Sequence, residues 1–226
     1  MPRSVVTFDI GQTLVDLDLD FLALRLGQRG RSVAAADLRA AMPEAWRRYD
    51  ALTESGASHP WHELIGTLLT GAGITHPEPL VDWLYEQQAT HNLWRKPIAP
   101  MIELVRELRD KGVVIAALSN SEGHLEELLR EIELAPLFDA IIDSQRVGIA
   151  KPDRGIFDHT LKVLAVTPDV IVHVGDSWAA DVEGALGAGW NAIWYRSRAS
   201  TAKTNPRVPV ASNAGETRAA LSSFGI

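Results

Sequence analysis

The stretch TFDIGQTLVD, residues 7–16, carries an apolar run into an aspartate, Asp9, and turns at once through Gly11 and Gln12. A carboxylate at the end of a buried strand is costly unless it is paired or used. Polar groups recur at three further places where an apolar run stops or a helix begins. These are Ser119-Asn120, Lys151 before Pro152, and Asp176 in HVGDSWAAD with Asp181 five residues on. Three carboxylates brought together repel one another unless a cation sits among them. Oxygen ligands with no cysteine and no histidine cluster suit a hard ion, Mg²⁺, better than zinc. A hydroxyl, an amide and an ammonium group beside them are donors for a phosphoryl group. Taken singly, each residue reads as a polar strand end. Their order and spacing together point to one site.

The elements that must position these residues follow from hydrophobic pattern. Five short apolar runs, residues 5–10, 113–119, 140–143, 170–174 and 191–195, read as strands buried on both faces of a parallel sheet. Helical periodicity falls between the later ones: PMIELVRELRDKG, HLEELLREIEL, RGIFDHTLKVL and the shorter SWAADVEGALGAG. Alternating strands and helices predict a doubly wound α/β sheet whose strand ends converge on one edge. Residues 15–95 break that rhythm, with helical segments around 18–29, 35–51, 60–72 and 77–92 and no convincing strand. They are expected to form an inserted helical domain that covers the strand ends as a lid. The core is then residues 1–14 and 96–226. The polar, turn-rich stretch RASTAKTNPRVPVASNAG, residues 198–215, is expected to run over the surface to a short final helix.

Composition narrows the function. The 226 residues contain no cysteine, so disulfides, thiolate metal sites and cysteine nucleophiles are excluded. A net charge of −7 offers no basic stripe for nucleic acid. No apolar run approaches a membrane span, and no signal-peptide pattern opens the chain. A soluble, cytoplasmic protein is expected, and small anionic substrates are not excluded, since a local pocket can oppose the global charge.

The stretches FDIGQTL, LSN, KPD and GDSWAAD resemble the four motifs of the haloacid dehalogenase-like (HAD) superfamily, in the same order. The 15–95 insertion falls where that family carries its helical cap. The resemblance implies a Rossmann-like core with strand order 5-4-1-2-3 and catalysis through an aspartyl intermediate, usually aspartyl phosphate with Mg²⁺. It implies that Asp9 is nucleophile and metal ligand, and that the carbonyl of Gly11 contacts the metal. Thr13 would hydrogen-bond near Asp9 and orient it. Ser119, with the backbone around Asn120, would bind phosphoryl oxygens, and Lys151 would balance the charge of nucleophile and phosphate. Asp176 would ligate Mg²⁺ directly or through water, and Asp181 would hold that shell in place.

The sequence departs from the pattern at one position. Phosphatases of this family usually carry a second aspartate two residues after the nucleophile, as general acid and base; here it is Gly11. Such help is worth roughly 10²–10⁴-fold. Asp16, Asp18 and Asp20 are the nearest candidates to replace it, against the alternative of a solvated helix start. Mg²⁺-dependent hydrolysis of a small phosphorylated compound is the expected function. The alternative is a member without turnover that binds a phosphate ligand or a protein partner. A 2-haloacid dehalogenase is a third reading, disfavoured because Asp176 and Asp181 are both present. Phosphonoacetaldehyde hydrolysis is set aside because residues 15–95 contain no lysine. In the insertion, Trp46, Trp61, Trp83 and Trp94 are expected in its core. His59 and His62, and most of Arg25, Arg29, Arg31, Arg39, Arg47 and Arg48, are expected on its surface.

Overall fold

The computed structural model describes residues 4–55, 60–196 and 203–226. The chain divides into two compact units, Met1–Asp16 with Trp94–Ile226, and Leu17–Leu93. The first strand, β1 (Val5–Phe8), is fully buried, and a turn leads to the short strand β2 (Val15–Leu17). Four helices follow: α1 (Leu19–Gln28), α2 (Ala35–Glu54), α3 (Trp61–Gly71) and α4 (Glu78–Glu86). The chain returns through β3 (Trp94–Pro97), which joins β2 in a two-stranded sheet. Then come α5 (Ala99–Asp110), β4 (Val114–Ser119), α6 (Leu125–Glu131), β5 (Ala140–Asp143), α7 (Ser144–Val147) and α8 (Arg154–Leu164). The last part is β6 (Ile171–Gly175), a π-helical turn at Trp178–Glu183, α9 (Gly184–Gly187), β7 (Asn191–Tyr195), β8 (Val210–Ala211) and α10 (Ala214–Ser223).

The main sheet runs β5-β4-β1-β6-β7-β8, and every pairing in it is parallel. Its first five members reproduce the expected 5-4-1-2-3 arrangement. The edge strand β8 is an addition in the stretch read as surface tail; two residues after a proline carry no periodic signal. The chain leaves β1 toward β4 on one side and returns to β6 on the other. The carboxyl end of β1 is therefore the point where the winding reverses, the usual place for a ligand in such sheets. Register puts Thr7 between Ala116 and His173, and Phe8 between Ala117 and Val174.

The second unit is helical, with a core of Leu22, Leu26, Leu38, Leu64, Ile65 and Leu68, all fully buried. Gly71 is required there, because a Cβ would come within 2.7 Å of Ala41 Cβ. The expectation of no strand within 15–95 is corrected: β2 and the start of β3 lie at its ends. Val15-Asp16-Leu17 alternates buried, exposed and buried, a strand pattern too short to register in a sequence window. Trp46 and Trp61 are core residues, whereas Trp94 belongs to the first unit. Of the six arginines, Arg29, Arg31, Arg39, Arg47 and Arg48 are exposed as expected, whereas Arg25 is buried, stacked over Trp83 at 4.6 Å from the ring centroid. His62 is exposed, and His59 lies outside the described residues. Among the described residues no helix is long and apolar enough to cross a membrane.

Candidate active site

Asp9 continues β1 by one hydrogen bond, its N–H donating to Val174 O at 2.9 Å. The chain then reverses around Ile10, whose carbonyl accepts from Leu14 N and Val15 N, both at 2.9 Å. Gln12 takes a left-handed backbone with φ of 60°, which costs an L-residue roughly 1–2 kcal/mol relative to a right-handed one. A Cβ on Gly11 would meet only Trp94 Cδ1, at an ordinary 3.6 Å. The position therefore has room for a side chain and lacks one.

Strand β4 delivers Ser119, whose hydroxyl donates to Asp9 Oδ1 at 3.1 Å. Lys151 precedes α8, and its ammonium spends all three protons: on Asp9 Oδ1 at 2.8 Å, Asp181 Oδ1 at 2.7 Å and Leu118 O at 2.6 Å. Asn120 serves Lys151 rather than a ligand. Its Oδ1 accepts from Lys151 N at 2.8 Å and its Nδ2 donates to Lys151 O at 2.9 Å. The amide is thereby tied to the Lys151 backbone through one donor and one acceptor.

Strand β6 ends at Gly175, where any Cβ would fall onto the carboxyl group of Asp181. That close approach, made possible by the glycine, seats Asp181 against the strand end. The π-helical turn feeds it there: Asp181 N and Val182 N both donate to Ser177 O, and Ser177 N donates to Asp181 Oδ2 at 2.8 Å. Asp176 stands at the mouth, half-buried, with its carbonyl accepting from Trp194 Nε1 at 2.9 Å. One carboxylate oxygen from each of Asp9, Asp176 and Asp181 lies within 4.8 Å of the others.

Electrostatics distinguish these groups. Burial pushes the Asp9 carboxyl up, more strongly than Lys151 pulls it down. Burial works against ionisation of Asp181 too, but Lys151 and His173 outweigh it and hold that carboxyl well below the usual range. For Lys151, burial disfavours the ammonium, yet Asp181 and Asp9 overcome it and raise its pKa. One ammonium among three carboxylates leaves negative charge uncompensated, and Asp9 bears the consequence. An oxygen-only donor set with excess negative charge fits a hard divalent cation. Asp9 Oδ1 is held by two donors, while Oδ2 has no protein donor among the described residues.

Of the residues expected at the site, Asp9, Ser119, Lys151, Asp176 and Asp181 are brought together. Thr13 differs: its hydroxyl is fully buried and has no hydrogen-bond partner among the described residues, so the expected bond near Asp9 is not made. Asp18 takes the helix-start reading. It is the N-cap of α1, its carboxylate accepting from Asp20 N and Phe21 N. Sequence reasoning missed His173, which lies behind Asp181 with Nε2 3.1 Å from Oδ1. Its signal was a polar residue in the middle of the apolar run IVHVG.

A family model described as haloacid dehalogenase-like hydrolase matches residues 4–189. The chain belongs to the haloacid dehalogenase-like hydrolases. Among the relatives of this hydrolase is haloacid dehalogenase-like hydrolase domain-containing protein 3 of Bos taurus, 27% identical over 203 residues, spanning 84% of this chain and 80% of the relative. Another is the glyceraldehyde 3-phosphate phosphatase of Methanopyrus kandleri, 28% identical over 199 residues, spanning 85% and 84%. The fold of this hydrolase is shared with the magnesium-bound HAD-hydrolase YfnB of Bacillus subtilis. The TM-score is 0.68 at 19% identity, over 98% of this chain and 99% of the other.

Proposed function

We propose that this hydrolase is a Mg²⁺-dependent phosphatase that transfers the phosphoryl group of a small compound to Asp9 and then to water. The observation that carries the reading is the state of the Asp9 carboxylate. Lys151 and Ser119 pin Oδ1, and Oδ2 is left without a protein donor among the described residues. Pinning one oxygen orients the other for attack. A carboxylate approaches an anionic phosphorus only if cations screen the repulsion. Lys151 supplies one such charge. Asp9, Asp176 and the carbonyl of Gly11 would hold Mg²⁺, with Asp181 supporting, and the ion would supply the remaining screening of the phosphoryl charge. Attack by Oδ2 forms an oxygen–phosphorus bond as the bond to the leaving oxygen breaks. Hydrolysis of the aspartyl phosphate then regenerates Asp9 and releases phosphate.

Gly11 decides which substrates suit this site. With no acid beside the nucleophile, the leaving oxygen departs without a proton from that position. Acyl and aryl phosphates, whose leaving groups are weak bases, meet that condition. The phosphatase relative supports a small phosphorylated substrate. The helical unit, inserted directly after the strand that ends in Asp9, is the part of the chain left to discriminate among substrates. A second reading also rests on Gly11: a member that binds a phosphate ligand or a protein partner without turning over. Hydrolysis of acyl and aryl phosphates with Mg²⁺, wild type beside Asp9→Asn, separates the two. Multiple turnovers by the wild type alone support the phosphatase; equal rates refute it.

A further inference from the structure

We propose that His173 is a positioning residue: anchored by Thr7, it fixes the carboxylate of Asp181 and through it the placement of Lys151 and of the metal ligands. This inference rests on the phosphatase reading above, in which His173 has no part.

Thr7 and His173 face each other in register on β1 and β6, and both are fully buried. Thr7 Oγ1 lies 2.8 Å from His173 Nδ1, and His173 Nε2 lies 3.1 Å from Asp181 Oδ1. A ring nitrogen lone pair aimed at a carboxylate oxygen would be repelled, so Nε2 carries the proton and donates. Nδ1 then accepts from the Thr7 hydroxyl. These partners assign the tautomer, as groups hydrogen-bonded behind metal ligands commonly do. The flanks of the imidazole are apolar. Phe157 meets it edge-on at 6.2 Å and Trp190 at 6.5 Å, while these two rings cross each other at 5.0 Å and 90°. The ring is thereby confined to one orientation, with both nitrogens bonded.

A buried imidazole in an apolar strand is costlier than the valines beside it unless its bonds do something. Here they complete the donor set of Asp181: Oδ1 takes Lys151 and His173, and Oδ2 takes Ser177 N. With both lone pairs of Oδ1 engaged, the carboxyl plane is set and only Oδ2 has capacity left to face a cation. Without Nε2–H, Lys151 alone would hold Oδ1. The carboxylate could then rotate and carry the ammonium away from Asp9.

The test is Mg²⁺ binding to the full chain by calorimetry, without substrate, in wild type, His173→Leu, His173→Gln and Thr7→Val. The glutamine amide can present an N–H near the place of Nε2; leucine cannot. Loss of an outer-shell partner typically costs 10–100-fold in metal affinity, and His173→Leu is expected to lose about that. His173→Gln should retain most of the affinity, and Thr7→Val should fall between. In turnover of an acyl phosphate, kcat should follow the same order with KM little changed. Should His173→Leu fail to fold, Thr7→Val against His173→Gln still reads the effect. Wild-type affinity in a folded His173→Leu, or equal losses in the leucine and glutamine variants, overturns the positioning role alone. A wild type that binds no Mg²⁺ overturns the phosphatase reading and this inference with it.

Discussion

Asn120 grips Lys151 by both sides of its backbone, accepting from the N–H at 2.8 Å and donating to the carbonyl at 2.9 Å. The reach of the lysine into the site therefore starts from a fixed point. Each bond is worth about 1 kcal/mol. Asn120→Ala should lower stability by about 2 kcal/mol and reduce kcat, because Lys151 loses its anchor. Denaturant titration and steady-state kinetics check both; an unchanged midpoint with unchanged kcat would show that the clamp is idle.

Lys151→Met should be the most destabilising of the site substitutions. It leaves Asp9 and Asp181 buried without their cation, and breaking a buried pair costs about 3–5 kcal/mol. The pH dependence has a definite sign. In the wild type, the depressed pKa of Asp181 gives stability that is complete above the usual carboxylate range and lost as pH falls through the folded value. In Lys151→Met both carboxyls are raised by burial, so protonating them relieves the variant as pH falls. The gap between the two proteins should be widest near neutrality and shrink as pH falls, first as the raised carboxyls of the variant take up protons above about pH 4 and then as Asp181 of the wild type does so below it. Melting curves across that range in metal-free buffer measure it.

Gly11→Asp should restore what the sequence lacks. The site accepts a Cβ without clash, its nearest neighbour being Trp94 Cδ1 at 3.6 Å. The expected gain is roughly 10²–10⁴-fold in kcat on alkyl phosphates, whose leaving oxygen needs a proton. Acyl phosphates should gain less in the phosphoryl-transfer step. Comparing the two substrate classes in one variant isolates the acid.

Thr13→Val should not weaken the fold. Its hydroxyl is buried without a partner, and such a group costs about 1–3 kcal/mol. The valine variant should melt at the same temperature or higher. If the hydroxyl is reserved for a bond made when substrate is bound, kcat falls while stability does not; thermal melts beside kinetics show the combination.

Much of the site was legible in the sequence because its residues sit where an apolar run stops or a helix begins. Asp9, Ser119 and Asp176 end or follow strands whose continuous hydrophobicity marks them as buried. Strand β5 and helix α8 were equally plain, β5 as a continuous apolar run and α8 from a full helical period. What escaped depends on pairing across the sheet. His173 acquires meaning only when register places Thr7 opposite it and the π-helical turn folds Asp181 back against Gly175. The Asn120 amide reads as a ligand donor until the loop bearing Lys151 is seen to occupy it. Strands β2, β3 and β8 are two to four residues long, too short for alternation to accumulate.

The central claim is that Asp9 accepts the phosphoryl group, and Gly11 makes it unusually testable. The acid that is missing would also have activated water, so the aspartyl phosphate should break down slowly and accumulate. Mixing the full chain with an acyl phosphate and Mg²⁺, quenching in acid and measuring intact mass reads the adduct directly. Borohydride reduction and peptide mapping then locate it. The account predicts one phosphoryl group per chain, on Asp9, dependent on Mg²⁺ and absent from Asp9→Asn. Turnover by the wild type with no adduct at Asp9, turnover by Asp9→Asn as fast as that of the wild type, or an adduct mapped to another residue would contradict it.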